Sequence, residues 1–187
     1  MQRRRIFRPA NTPRRWRGAL MVLAMVLAGW GVAGLGLSTR LFGSAPPQQD
    51  WSAPASDVRV VDGETLRLGD RVVRLYGVAV PARGERCSDA TGRGFDCGAA
   101  AAERLSLLIQ NRSLNCLVHG RDAFGRALGV CQAGEVALNG GLVATGWALA
   151  EESGQPGLLL VEKQAREARL GLWAPGMTPP EEWRRRY

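Results

Sequence analysis

From Val58 to Tyr76 the chain alternates apolar and polar residues in short runs that glycine interrupts twice. Val58 and Val60, Leu66 and Leu68, then Val73, Leu75 and Tyr76 carry the apolar pattern, with turns at Gly63 and Gly69-Asp70. A strand turns every second side chain to the same face, so this stretch predicts a three-stranded antiparallel meander. The last strand runs on through apolar residues to Pro81 and carries one charged side chain, Arg74, while the first turn carries Asp62 and Glu64. Acids in a turn and a lone cation on the neighbouring apolar strand have the layout of a site.

The rest of the body follows the same economy. Cys87 and Cys97 enclose a polar, Gly-rich loop too poor in apolar residues to bury a core, and a disulfide closing it is the simple explanation. Ala99 to Ile109 places Ala101, Leu105, Leu108 and Ile109 at helical spacing and predicts a helix packed on the sheet, broken at Asn111 and Ser113. Leu114, Cys116 and Val118 alternate as a strand, with Leu128 to Cys131 as the return partner and the turn near Ala123-Phe124. If Cys116 and Cys131 face each other, a second disulfide staples that hairpin. Leu138 to Ala144 reads as a short helix ending at Gly146, and Leu158 to Leu170 as a longer one stopped by Gly171. That last helix is expected to turn Leu159, Leu160, Ala165 and Leu170 inward and its charges from Glu162 to Arg169 to water. Trp147, Trp173 and Trp183 are candidate apolar anchors. Hairpins outnumber crossovers, which favours an α+β, mainly β chain: a five-stranded OB-fold barrel with about three helices rather than a Rossmann sheet.

The net charge of +8 suggests a nucleic-acid or membrane partner until the charges are placed. Of 25 basic residues, seven arginines lie in residues 1–17 and three more are Arg184, Arg185 and Arg186, leaving 15 against 17 acidic residues, a net of −2. Nucleic acid is therefore weakly supported as a partner by the body's charge, and a protein partner is the other expectation. Gly18 to Ser38 is an uncharged run of 21 residues, enough at about 1.5 Å per residue to cross a hydrocarbon core of about 30 Å. The arginines before it put residues 1–17 in the cytoplasm, residues 18–38 across the inner (cytoplasmic) membrane as a single span, and the body in the periplasm. The alternative is secretion after cleavage of a signal, a twin-arginine signal included, although no small-x-small site directly follows the run. Residues 39–56, with three prolines, read as a linker, and 57–187 as the domain. All four cysteines (Cys87, Cys97, Cys116 and Cys131) fall in the exported part, where an even count favours disulfides over zinc; there is no Cys-x-x-Cys, and His119 is the only histidine. His119 itself reads as a bystander beside the turn.

Taken in order, Asp62-Gly63-Glu64-Thr65, Arg74-Leu75-Tyr76-Gly77-Val78 before Pro81, Cys97-Gly98, Asp122-Ala-Phe-Gly125-Arg126, Leu138-Asn139, Leu142-Val143 before Gly146-Trp147-Ala148, Ala165-Arg166 and Gly171-Leu172-Trp173 carry a resemblance. From about Val58 to Trp183 the chain resembles the staphylococcal-nuclease-like (thermonuclease) family. The resemblance implies an OB-fold barrel and, in active members, Ca²⁺-assisted hydrolysis of nucleic-acid phosphodiesters. Carboxylates and a carbonyl hold the hard cation, a glutamate serves the attacking water, and two arginines neutralise the phosphorane. It assigns the arginine roles to Arg74 and Arg126 and the metal roles to Asp62 and Glu64, the latter one methylene longer than the family's aspartate.

The chain departs from the pattern after the strand. Where the family has Asp-x-Pro-Glu, it reads Ala79-Val80-Pro81-Ala82, so a calcium carboxylate and the water-activating glutamate are both methyl groups. Loss of a general base alone removes about 10²- to 10⁴-fold in rate, and no arginine serves as a base at ordinary pH. Glu85 would replace the missing glutamate only if its loop folded back. A structural reading of the same residues has Asp62 and Gly63 building the turn, Arg74 pairing with Glu64 or Asp62, and Asp122 with Arg126 capping their own loop. The expected function is thus a membrane-anchored, catalytically impaired module that binds or scaffolds. The alternative is an active Ca²⁺-dependent nuclease using Asp62, Glu64 and Glu85.

Overall fold

A computed structural model of the protein describes residues 48–152 and 154–179. They belong to the second of the two units into which the chain divides, Pro46–Tyr187. The expected basic tail 1–17, the expected membrane span 18–38 and Trp183 lie outside the described residues. Among the described residues no helix is long and apolar enough to cross a membrane.

The strands are β1 (Gln49–Ala53), β2 (Val58–Val60), β3 (Thr65–Leu68), β4 (Arg71–Leu75), β5 (Val78–Ala79), β6 (Arg86–Ser88), β7 (Gly94–Asp96), β8 (Leu114–Arg121), β9 (Ala127–Ala133), β10 (Val136–Ala137) and β11 (Leu149–Ala150). Three α-helices, α1 (Cys97–Ile109), α2 (Leu138–Ala144) and α3 (Leu158–Glu167), are set among them. The meander β2–β3–β4 forms as expected, and β4 then pairs in parallel with β9, Arg74 beside Leu128. The hydrogen-bonded order is β1-β8-β9-β4-β3-β2 with β10 on β9, a mixed sheet of seven strands. This is the OB-like architecture with three helices, but not a closed five-stranded barrel: among the described residues no pairing joins β1 to β2.

The segment expected to be linker supplies part of the reason. Gln49–Ala53 lies antiparallel on β8, Trp51 opposite Cys116. It satisfies backbone groups that an edge strand would otherwise leave open. Gln49–Ala53, within the stretch expected as linker, is thus a strand, one that needs only backbone partners. The loop inside Cys87–Cys97 likewise forms a small hairpin, β6 on β7.

Both disulfides form, Cys87–Cys97 and Cys116–Cys131, the second between directly opposed residues of β8 and β9. Leu66, Leu68, Val73, Leu75, Leu105, Leu114, Leu138 and Leu142 are fully buried between the sheet, α1 and α2. Burying each such side chain contributes about 1.5–3 kcal/mol. The last helix faces otherwise than its pattern suggested. Leu158, Glu162 and Ala165 are buried, while Leu159 and Leu160 are 53% and 60% exposed and Leu170, beyond the helix end, is also exposed. The face is set by Glu162, whose carboxylate accepts the Ala150 N–H at 2.6 Å. A buried backbone donor at the end of β11 needs that acceptor, and meeting it rotates the two leucines outward.

Candidate active site

The hairpin turn from Asp62 to Thr65 is built by its own aspartate. Asp62 Oδ1 accepts the Glu64 N–H at 2.9 Å, and the Thr65 carbonyl accepts the N–H groups of Val61 and Asp62. Gly63 is needed because a Cβ there would stand 2.9 Å from the Ala101 Cβ of α1 and 3.0 Å from Val80. The turn therefore sits pressed between α1 and the loop after β5. That loop is held as closely: a Cβ on Gly98, in the first turn of α1, would clash with the Ala82 carbonyl oxygen. Asp96 caps α1 by accepting the Ala99 N–H and also accepts the Gly84 N–H. These backbone bonds, Ala99 first, hold its carboxyl below the usual range against a small burial penalty.

Above the turn lies Arg74. Its Nε donates to Glu64 Oε1 at 2.6 Å and its Nη2 to Glu64 Oε2 at 3.1 Å, a fork on both carboxylate oxygens. Nη2 also faces Glu151 Oε1 at 3.5 Å. The Glu64 hydrogen bond, reinforced by the charges of Glu64, Glu151 and Asp122, raises the guanidinium pKa further against the cost of burial. Glu151 owes its place to the β5–β11 ladder, Val78 opposite Ala150, and to its own N–H donating to the Gly77 carbonyl. The second arginine is held locally. Arg126 Nε donates to Asp122 Oδ2 at 2.6 Å, and Asp122 Oδ1 accepts the N–H groups of Phe124 and Arg126. Partial desolvation pushes the Asp122 carboxyl up, but the Arg126 side chain and these N–H groups outweigh it and hold it below its usual range.

Asp62, Glu64, Ala82, Arg83 and Arg126 line one hollow of about 340 Å³. The structure thus brings Asp62, Glu64 and Arg126 together, with Arg74 reaching them through Glu64. The four cysteines stand apart as disulfides. Glu85 does fold back, but onto the backbone: its Oε2 accepts the Ala82 N–H at 2.8 Å. Arg83 Nε reaches across to the Val61 carbonyl at 2.9 Å and ties the loop to the hairpin. His119 bonds Gln48 through Nδ1 and lies against Tyr76. Sequence reasoning missed Glu151 and Arg83, since a two-residue strand and a single cross-loop bond leave no periodic signal.

The residues do not fit the calcium ion that the resemblance implies. Ca²⁺ takes six to eight oxygens, yet both Glu64 oxygens are taken by Arg74, Asp62 Oδ1 is taken by its own turn, and Ala79 and Ala82 offer no side-chain oxygen. The buried Thr65 hydroxyl has no hydrogen-bond partner among the described residues, but it adds a single neutral oxygen. Among the described residues no group of three or more His, Cys, Asp or Glu side chains is placed to hold a metal.

The family model described as staphylococcal nuclease homologue matches residues 72–175. The chain belongs to that family. Among its relatives, the succinoglycan biosynthesis protein ExoI of Rhizobium meliloti is 31% identical over 117 residues, which are 61% of this chain and 61% of that protein. An uncharacterized endonuclease of Escherichia coli O157:H7 is 28% identical over 135 residues, 69% of this chain and 83% of the relative. The probable staphylococcal-like nuclease CAN1 of Oryza sativa subsp. japonica is 32% identical over 126 residues, 66% of this chain and 35% of that protein. The matches thus span about three fifths of the Rhizobium protein and a third of the rice protein. The described body is a staphylococcal-nuclease-like domain.

Proposed function

We propose that this domain binds rather than cleaves: an extracytoplasmic module, anchored in the inner membrane by residues 18–38, that keeps the phosphate-facing arginines and has lost efficient hydrolysis. The observation that carries the reading is the fork of Arg74 on Glu64. The carboxylate left in the turn neutralises the arginine instead of serving an ion or a water, and Ala82 leaves no base behind it. Two disulfides agree with an oxidising compartment, and the run from Gly18 to Ser38 is long enough to hold the domain to a membrane. The alternative, secretion after signal cleavage, would keep the domain on the same, extracytoplasmic side of the membrane.

The competing reading, a Ca²⁺-dependent nuclease, draws on the endonuclease and nuclease names of two relatives. Plasmid degradation by the purified full chain, with calcium and with chelator, separates the two. The expected result is no chelator-sensitive cleavage. Cleavage that chelator abolishes and Arg74→Ala removes would sink the binding-module reading.

A further inference from the structure

The chain enters the described domain at one definite end. β1 runs antiparallel to β8, with Gln49 opposite Val118 and Ala53 opposite Leu114, so β1 begins where β8 finishes. Gln48 Nε2 lies 3.1 Å from His119 Nδ1 and fixes the point of entry. Two residues further on, β8 ends at Arg121 and the chain turns through Asp122-Ala123-Phe124-Gly125 into β9. Phe124 is 84% exposed, the most exposed large apolar side chain among the described residues. A lone exposed apolar residue is ordinary, but this one stands among cations. It shares a hollow with Arg71, Arg121 and Arg126, whose one acidic lining residue is Asp70, and Arg126 Cζ lies 5.5 Å from its ring centroid. Arg126 is held by Asp122. Arg71 and Arg121 form no salt bridge among the described residues; each donates to one backbone carbonyl, of Ser52 and of Gly125. A guanidinium has five N–H donors, so both keep donors and full charge.

We propose that the β8–β9 turn docks the domain on the anionic headgroups of the membrane that holds it, Phe124 entering the interface and Arg71 and Arg121 taking lipid phosphates. An aromatic ring suits the boundary between headgroups and acyl chains, and cations beside it are drawn to an anionic bilayer surface. Nine residues, 39–47, separate the expected span 18–38 from Gln48, and a chain of that length reaches about 30 Å at most. The tether therefore joins the domain at the end that carries the turn. In a body whose net charge is −2 once its ends are set aside, unpaired cations at that end give the domain a preferred side toward an anionic surface. The inference rests on the reading of residues 18–38 as an anchor and gives the anchored module an orientation.

The test uses the full chain reconstituted into vesicles of phosphatidylcholine, alone or with phosphatidylglycerol. A fluorophore that brightens in apolar surroundings is attached to Phe124→Cys or, as a control, to Ser113→Cys, an exposed position at the opposite end of β8. The label on Phe124→Cys should brighten, and be quenched by brominated acyl chains, in the anionic vesicles and not in the neutral ones. The label on Ser113→Cys should respond in neither. Arg71→Ala and Arg121→Ala, each added to Phe124→Cys, should lower the ratio of docked to free turn about fivefold, and raised salt should lower it further. Should the added cysteine disturb the disulfides, hydrogen exchange of the unlabelled chain reads the same contact, slower across residues 121–126 in anionic than in neutral vesicles. A response in neither lipid, or an equal response in both that the arginine variants leave intact, overturns the proposal. So does loss of the response to a single-stranded oligonucleotide at equal phosphate concentration, which assigns the turn to nucleic acid. Flotation in alkaline carbonate tests the anchor separately: if carbonate strips the chain from the vesicles the anchored reading fails, and the labelled turn's response to added anionic vesicles still decides the docking.

Discussion

The domain carries two acidic turns of like construction and unlike dependence. In each, an aspartate Oδ1 accepts the N–H of the residue two places on, Asp62 that of Glu64 and Asp122 that of Phe124, both at 2.9 Å. Each turn also holds an arginine by a 2.6 Å contact from Nε to a carboxylate. In the second turn donor and acceptor are four residues apart, and the loop closes on itself. In the first, Arg74 comes from the next strand, and its other neighbour, Glu151, arrives through the β5–β11 ladder. A turn that supplies its own counter-charge tolerates sequence drift around it. A site assembled from three distant segments changes character when one of them changes, and here the loop Ala79–Ala82 offers it no acid.

Asn139 is the place to break that contrast. Buried at the start of α2, it accepts the Cys131 N–H at 2.9 Å and donates to the Tyr76 carbonyl at 2.9 Å and the Gly129 carbonyl at 3.2 Å. It therefore joins the end of Arg74's strand to the strand that follows Arg126. Asn139→Ala takes the side-chain acceptor from the buried Cys131 N–H and cuts the ties to the Tyr76 and Gly129 carbonyls, and should remove about 2–4 kcal/mol of stability in denaturant unfolding. The arrangement around Arg74 should loosen while the Asp122 turn keeps its amide chemical shifts. A loss under about 0.5 kcal/mol, the range of a surface change, would mean that Asn139 does not hold the end of Arg74's strand.

Much of this was legible beforehand. The meander, both disulfides, α1, α2 and the Asp122 turn are encoded within short windows, where alternation, helical spacing or an Asp-x-x-Gly turn states the local answer. What was not legible depends on pairing between distant segments. Trp51 and its neighbours become a strand because β8 offers an edge. Leu159 and Leu160 face water because Glu162 is wanted by the Ala150 N–H. The sequence offered Arg74 either Glu64 or Asp62, and the structure selects Glu64 because its longer side chain reaches both guanidinium donors.

The next effect is smaller and sharpens the comparison. Glu64→Gln removes the charge from the fork and leaves Arg74 with the more distant charges of Glu151 and Asp122. For a pair between exposed and buried, this should lower stability by about 1–2 kcal/mol. The same change frees a half-buried cation, so inorganic phosphate should raise the variant's thermal midpoint more than the wild type's. An equal response in both would mean that Glu64 does not occupy Arg74 in solution.

Acid should produce the smallest effect and fall on the other turn. The folded Asp122 carboxyl lies below its ordinary value of 3.8. A depressed carboxylate contributes stability that is fully present above its unfolded pKa and lost as pH falls through the lower folded one. The contribution of the Asp122 turn should thus be intact at neutral pH and fade only below that ordinary value, as Asp122 takes up a proton and releases the Arg126 fork. Because the Arg126 side chain is 36% exposed, salt screening should shrink the effect. In Asp122→Asn the acid-dependent part of the unfolding midpoint should diminish over that window, with the other depressed carboxyls, Asp89 and Asp96, supplying what remains. An Asp122→Asn profile that tracks the wild type throughout would show that the Asp122–Arg126 pair is not what closes the turn, and the contrast between a self-sufficient turn and a dependent one would fall with it.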